Sequence, residues 1–292
     1  MYRIGIDIGG MSAKFGLVEE DRVLEERVLE TGGGISYGDF LHAASACISE
    51  LRKNREVSAL GVSSCGLIDS GQGKIVYSNN IGWEDRPVAA DLCSRTALPV
   101  RVANDAKCAA LAEAVYGAGR AYGRVCMITL GTGVGGGFVC DRRLPAGLYG
   151  DADGIMGHIT VERGGRPCTC GRRGCLETYA SAAAVMGAYR EKTGRSCTAK
   201  EIFTWAGKGQ TEACEVVSEF RYYLGEGLAS LVNVLRPEVV VIGGGLAGSS
   251  ALFIKEVEEQ VGWNAFGGGR LPVKVVPAEL GNRAGMIGAT LL

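Results

Sequence analysis

The sequence predicts an α/β protein built as two similar lobes with a metal-pinned loop, and three observations carry that expectation. Strand-like apolar runs alternate with stretches of helical periodicity. An apolar strand, a glycine turn and a second apolar strand occupy 3–18, RIGIDIGGMSAKFGLV, and the layout returns at 125–140, VCMITLGTGVGGGFVC. One histidine stands just ahead of three closely spaced cysteines in GHITVERGGRPCTCGRRGC, residues 157–175.

The elements follow in order. After the first hairpin come a helix over 37–54 and a strand over 57–62 that runs into the loop SSCGLID. KIVYSNNIGW follows, then the strand VRVA, with Asn104 as N-cap of a helix over Ala106 to Tyr116 that carries small apolar residues at helical spacing. The second hairpin opens the other lobe. Helices are expected near 177–191 and 212–235, the latter stopped by Pro237. A buried strand EVVVIGGG, a helix near 250–260, the strand LPVKVVPAE and a final helix RAGMIGATLL complete the chain. The lobe boundary is expected in VYGAGRAYG, giving lobes of 1–118 and 119–281. A chain of 292 residues is comfortable for two cores.

Composition narrows the function class. The formal net charge of −1 offers no attraction to nucleic acid or to an anionic membrane. The chain opens directly on YRIGIDIGG without the features of a signal peptide, and no run approaches the ~18 apolar residues of a membrane helix. The expectation is a cytoplasmic protein. Eight of the eleven cysteines are scattered singly through apolar runs, which suits reduced thiols better than a disulfide framework.

The other three cysteines suit a metal. His158, Cys168, Cys170 and Cys175, spaced His-x9-Cys-x-Cys-x4-Cys, form a complete tetrahedral set for structural Zn2+, with no position left for a water. Gly171 and Gly174 let the loop turn back on itself. The plainer alternative makes His158 a cap and leaves three exposed thiols, which would oxidise easily.

The two glycine turns suit phosphate. Gly9 and Gly10 in DIGG, and Gly131 and Gly133 in GTGVGGG, allow main-chain amides to approach phosphate oxygens, and Thr132 adds a hydroxyl. Asp7, at the end of the first strand, is placed to hold Mg2+ through water. A single such turn is also an ordinary hairpin; two in matching positions favour phosphate. A dinucleotide fingerprint competes. Gly131-x-Gly133-x-x-Gly136 is followed by a strand rather than a helix, and Gly243-x-Gly245-x-x-Gly248 has its candidate acid, Glu279, 31 residues past Gly248.

These residues resemble the ROK sugar kinases of the actin/hexokinase/Hsp70 ATPase superfamily. The carriers are DIGG with Gly16, YSNNIGW, NDAKCAALAE, LGTGVGGG, GH with CTCGRRGCLE, VVVIGGGLA and GNRAGMIGATLL, in the family's order along nearly the whole chain. The resemblance implies a two-lobed actin-like ATPase (ribonuclease H-like) fold whose last helix, 282–292, crosses back to the first lobe. It implies transfer of the ATP γ-phosphoryl group to a sugar hydroxyl, usually O6 of a hexose, with ATP and Mg2+ in the interlobe cleft. By motif, Asp105 is the catalytic base; Asn79, Asn104, His158 and Glu177 bind sugar hydroxyls, with Gly66 in the loop beside them. Gly9, Gly10, Gly131, Thr132 and Gly133 surround phosphates, and Gly244 and Gly245 approach the nucleoside. The zinc loop 157–177 would then fix His158 and Glu177 on one wall of the sugar site. A homodimer is common among such kinases.

Physical chemistry supports a carboxylate in that role, since a sugar hydroxyl is a poor nucleophile that must be oriented and relieved of its proton. At a helix start the dipole favours the ionised form, so the expectation for Asp105 is lowered basicity and mainly an aligning role. Asn104–Asp105 also reads as a simple capping pair, and Glu177 as an ordinary first-turn acid. Two positions depart from the family pattern. Met11 follows Gly10 where a threonine is usual, with Ser12 as a substitute, and Ile155 in GIMGH stands where a carboxylate would bind sugar hydroxyls. Asp153 is the candidate replacement, in a loop that looks shifted by about one residue from Gly147 onward. Cys65 takes a place where proline is common.

The leading expectation is a glucokinase-like hexose kinase. The alternatives are a kinase for an N-acetylhexosamine such as N-acetylmannosamine, and a catalytically weakened sugar-binding protein. A sugar-sensing repressor would need a helix-turn-helix ahead of the first hairpin, where Asp7 leaves little room.

Overall fold

The computed structural model describes residues 1–32, 34–145, 155–270 and 272–292. The chain divides into two compact units: Met1–Arg120 with Arg142–Gly154 and Asn282–Leu292, and Ala121–Asp141 with Ile155–Gly281.

The first unit starts with the hairpin β1 (Tyr2–Ile8) and β2 (Ser12–Glu19), followed by β3 (Arg22–Glu30) and α1 (Tyr37–Arg52). Next come β4 (Val57–Ser64), the short strands β5 (Leu67–Asp69), β6 (Lys74–Ser78) and β7 (Trp83–Arg86), then α2 (Val88–Thr96), β8 (Val100–Asn104) and α3 (Asp105–Val115). The main sheet runs β3-β2-β1-β4-β8, with β1 antiparallel to β2 and parallel to β4, and β4 parallel to β8. Alternation in β1 buries Ile4, Ile6 and Ile8 in a core shared with Phe15, Phe40 and Ile48. Phe40 of α1 packs edge-on to Trp83, ring centroids 4.9 Å apart. Each such side chain contributes about 1.5–3 kcal/mol by leaving water.

The last helix, α9 (Ala284–Ala289), lies against β1, β4 and α3. Glycine makes this approach possible: a Cβ on Gly61 would sit 1.8 Å from the Ala289 carbonyl oxygen.

The second unit opens on the hairpin β9 (Arg124–Leu130) and β10 (Val134–Cys140) and continues through the metal loop to α4 (Glu177–Ala180), α5 (Ala182–Thr193), α6 (Ala199–Gly207) and α7 (Thr211–Leu235). Then come β11 (Val239–Gly243), a 3-10 stretch Gly245–Leu252, α8 (Ile254–Asn264) and β12 (Lys274–Pro277). Its sheet runs β10-β9-β11-β12, an antiparallel hairpin followed by two parallel strands. That repeats β2-β1-β4-β8, as the recurring hairpin pattern suggested. The core gathers Phe203, Phe220 and Phe253, with Phe220 and Phe253 edge-to-face at 5.1 Å.

Several boundaries differ from the sequence reading. The helix expected over 177–191 breaks at Ser181, which is extended (φ −85°, ψ 161°) and caps α5 by accepting from the Ala184 N–H at 3.0 Å. Serine competes with helical backbone bonding in this way, so one apolar period became two helices. α7 stops at Leu235, and Arg236 turns left-handed (φ 48°) ahead of Pro237, since proline disfavours the α conformation in the residue before it. The helix expected near 250–260 begins at Ile254, and the final helix covers only Ala284–Ala289. α6, with its Thr198–Glu201 capping box, and β3, α2 and the three-stranded sheet β5-β6-β7 had not been assigned. Among the described residues no helix is long and apolar enough to cross a membrane.

Candidate active site and metal loop

In the first unit the candidate residues gather at the carboxyl ends of the parallel strands. Asp7 pairs in register with Ser63, and Ser64 with Asn104, so β1, β4 and β8 end side by side. Side chains at such ends reach a ligand without interrupting the sheet. Ser63 Oγ donates to Asp7 Oδ1 at 2.8 Å. Burial raises the Asp7 carboxyl above its ordinary value, while the Ser63 bond and Lys14 pull the other way. Asp105 opens α3, and the Ala106 N–H donates to both Asp105 Oδ1 (2.8 Å) and Asn104 Oδ1 (3.1 Å).

The expected lowered basicity of Asp105 does not hold. Burial pushes its pKa up to about 6 from 3.8, against the Ala106 bond and with the Asp7 charge adding to the rise. A helix dipole contributes about 0.3–1 kcal/mol, whereas a rise of roughly two units corresponds to about 3 kcal/mol. Desolvation wins.

The amides around these carboxyls are held by backbone and by one tyrosine. Asn104 Nδ2 donates to the Gly66 carbonyl at 3.2 Å, leaving one N–H of that amide for a ligand. Gly66 has φ +110° and no room for a side chain, since a Cβ would lie 2.4 Å from the Tyr77 carbonyl oxygen. Tyr77 donates its hydroxyl proton to Asn79 Oδ1 at 3.3 Å, so the Asn79 NH2 group keeps both its donors. In the glycine turn, the Gly9 N–H is spent on the Ser12 carbonyl at 3.0 Å. The Gly10 N–H has no acceptor among the described residues. Met11 is 70% exposed beside it.

In the second unit the matching turn behaves alike. The Gly131 N–H closes the turn on the Gly133 carbonyl at 2.9 Å, and among the described residues the N–H groups of Thr132 and Gly133 have no acceptor. Gly244 (φ +80°) lies at the end of β11 against Leu130, and Gly245 follows it at the start of the 3-10 stretch.

The metal loop is built for four ligands. The ligand atoms of His158, Cys168, Cys170 and Cys175 all lie within 4.8 Å of one another. Cys170 Sγ and Cys175 Sγ are 3.6 Å apart, and Cys168 Sγ is 3.5 Å from His158 Nδ1. Bonds of about 2.3 Å to sulfur at tetrahedral angles require ~3.8 Å between sulfurs, so the set fits zinc. Gly171 and Gly174 take φ +85° and +76°, as the turn-back required. With Nδ1 ligating a metal there, Nε2 of His158 would be the nitrogen left to carry the proton.

Glu177 shows something the sequence did not. Its Oε2 accepts from the Val134 N–H at 3.0 Å, and a Cβ on Gly133 would lie 2.3 Å from the same oxygen. The Ala182 N–H also donates to the Gly131 carbonyl at 2.8 Å. The end of the loop and the start of α5 are therefore tied to the β9–β10 turn. Arg166 braces the loop from the other side, giving a forked pair of bonds to Glu219 (2.9 and 3.0 Å) while lying over the Tyr179 ring at 4.6 Å. Ser63, Tyr77, Val134 and Arg166 left no signal in the sequence, because their partners lie far along the chain or on backbone atoms. Ile155 is 60% exposed and its carbonyl accepts from the His158 N–H. Asp153 and Gly147 lie outside the described residues.

Two units with a shared hairpin-and-parallel-strand plan, carrying carboxyls at strand ends and open amides in both glycine turns, define an α/β protein of the actin-like ATPase (ribonuclease H-like) class. The sequence matches the ROK family over residues 3–292, and the chain belongs to that family. It is 36% identical to a glucokinase of Halalkalibacterium halodurans over 98% of this chain and 93% of that protein. Among solved structures it resembles a ROK hexokinase from Thermus thermophilus (TM-score 0.87, 31% identity, 100% of this chain and 97% of the other). It also resembles a ROK family glucokinase from Streptomyces griseus in complex with glucose and AMPPNP (TM-score 0.84, 30% identity, 99% and 98%).

Proposed function

We propose that this chain is an ATP-dependent hexose kinase that moves the γ-phosphoryl group to O6 of a glucose-type sugar. The observation that carries the reading is Asp105, a poorly solvated carboxylate at a helix start with a pKa of about 6. Such a group is ionised at neutral pH and still basic enough to take a hydroxyl proton. Asp105 accepts the O6 proton as the O6–P bond forms and the bond from phosphorus to the β,γ-bridging oxygen breaks, releasing ADP. The remaining N–H of Asn104, the Asn79 amide, His158 Nε2–H and Glu177 bind other sugar hydroxyls, with Gly66 keeping the neighbouring loop close.

Phosphate oxygens meet the amides of Gly10, Thr132 and Gly133, while Gly9 and Gly131 hold the turns in shape. Gly244 and Gly245 leave space for the nucleoside. Asp7 would hold Mg2+ through water, which suits a carboxyl that burial has made reluctant to ionise alone; bound Mg2+ supplies charge neutralisation for the phosphates. Zn2+ on His158, Cys168, Cys170 and Cys175 is structural.

A second reading rests on Ile155. An exposed isoleucine three residues before His158 offers apolar surface where a sugar hydroxyl would want a carboxylate, and an acetamido methyl group suits it. The substrate is then an N-acetylhexosamine. The test is an ADP-release screen of the wild type and Asp105→Asn against hexoses and N-acetylhexosamines. ADP release with glucose that is lost in the variant is the expected result. Preference for an N-acetylhexosamine selects the second reading, and no release with any sugar leaves a sugar-binding protein.

A further inference from the structure

A cavity of about 850 Å3 lies within the first unit, lined by none of the candidate carboxyls. That is in the range of small-molecule sites, about 300–1,000 Å3. Arginine dominates the charged side chains that line it: Arg3, Arg101, Arg142 and Arg143 are present and no acidic side chain is, with Leu292 at the chain end also in the lining. Among the described residues none of these four guanidinium groups is in an ion pair; Arg3 donates to the Thr290 carbonyl, and the other three have no hydrogen bond.

The sheet explains why two of the arginines converge. Gly5 pairs with Gly61, and Gly61 with Arg101, so all three share a level in β1, β4 and β8. Gly5 and Gly61 face α9, as their close contacts with Met286 and Ala289 show. Residues in register on adjacent strands face the same side, so Arg101 points to the α9 side, and so does Arg3, two residues before Gly5. They flank the end of α9 from two strands apart. Arg142 follows in a left-handed turn (φ 60°), with Arg143 next to it. Ser70, from the β5–β6 turn, lines the cavity as well.

We propose that this cavity is an anion site for a small molecule carrying two or more phosphoryl groups. Three guanidinium forks without a partner, with Arg3 beside them, exceed what one phosphoryl group can occupy, and forked donors match phosphate oxygens bidentately. α9 connects the site to the reaction centre, because its other end brings Gly285 beside Asp7 and Ser63. An occupant against 289–292 therefore bears on the element that buttresses Asp7. The inference stands independently of the kinase reading.

The test is calorimetric titration of the full chain in magnesium-free buffer with inorganic pyrophosphate and, separately, with a hexose bisphosphate. Three proteins are compared: wild type, Arg101→Gln/Arg142→Gln, and Thr132→Asp, which places a repelling charge in the other phosphate turn. Both arginines are exposed, so the double variant should keep the wild-type melting temperature; should it melt lower, Arg142→Gln alone replaces it. The expected result is binding that weakens at least tenfold in the arginine variant and persists in Thr132→Asp. Comparing the two probes shows whether inorganic or ester phosphate is preferred. Absence of binding to the wild type, or unchanged affinity in the arginine variant, overturns the proposal.

Discussion

Asp105 combines two properties that normally exclude each other, a position where the helix dipole favours charge and surroundings that oppose it. Because its folded pKa lies above the unfolded value, it costs nothing to stability below about pH 4; the cost accumulates between about pH 4 and 6 and is fully present above that. Asp105→Asn is thus expected to lower kcat by roughly 10²–10⁴ while stabilising the fold at pH 7–8 by on the order of 1–3 kcal/mol. Activity assays beside urea melts at pH 4 and pH 8 check this, and a variant less stable at pH 8 would remove the desolvation argument. In the wild type, kcat/KM should fall about tenfold per pH unit below pH 6. Ile155→Glu is expected to shift preference toward plain hexoses, measured as the ratio of kcat/KM for glucose and for an N-acetylhexosamine. The residue types at Asn104, Asp105 and the four metal ligands were readable from the sequence, since capping and tetrahedral coordination demand particular chemistry at particular spacings. The basicity of Asp105 was not, because it depends on how much water the neighbouring strands exclude.

At the scale of elements, the contact from Glu177 to Val134 changes what metal loss should do. The sequence suggested that zinc loss would weaken sugar binding more than ATP binding, but the end of the loop also holds the β9–β10 turn through Glu177, and Ala182 at the start of α5 holds it too. Chelation is expected to raise KM for sugar and for ATP by similar factors, with far-UV circular dichroism unchanged. A rise confined to the sugar would show that the turn keeps its shape unaided. The close approach of α9 to β4 gives a second test: Gly61→Ala puts a carbon against the Ala289 carbonyl and should cost at least ~2 kcal/mol, read from the urea midpoint. Hairpins, long helices and the Pro237 stop were legible because each is set by local periodicity or one residue's sterics. The break at Ser181 was hidden, as the apolar pattern continues through it.

At the scale of the whole chain both units are discontinuous: the first lacks a complete wall until residues 282–292 return to it, whereas the second draws its core from 121–141 and 155–281. Ending the chain at Gly281 removes α9, whose Ala284, Met286, Ile287 and Ala289 are buried. The truncation is expected to expose the first unit's sheet to proteolysis and hydrogen exchange while β9, β11 and α7 stay protected. Equal protection of both units in the truncated chain would show that α9 is dispensable. By itself the sequence determined the α/β class, the duplicated hairpin plan, the grouping of His158 with Cys168, Cys170 and Cys175, and the family, because these depend on residue type and spacing over short stretches. Only the tertiary structure decided which amides remain open to phosphate, which carboxyl is basic, and that four arginines from distant segments line one cavity, because burial and long-range register exist only once the strands are assembled.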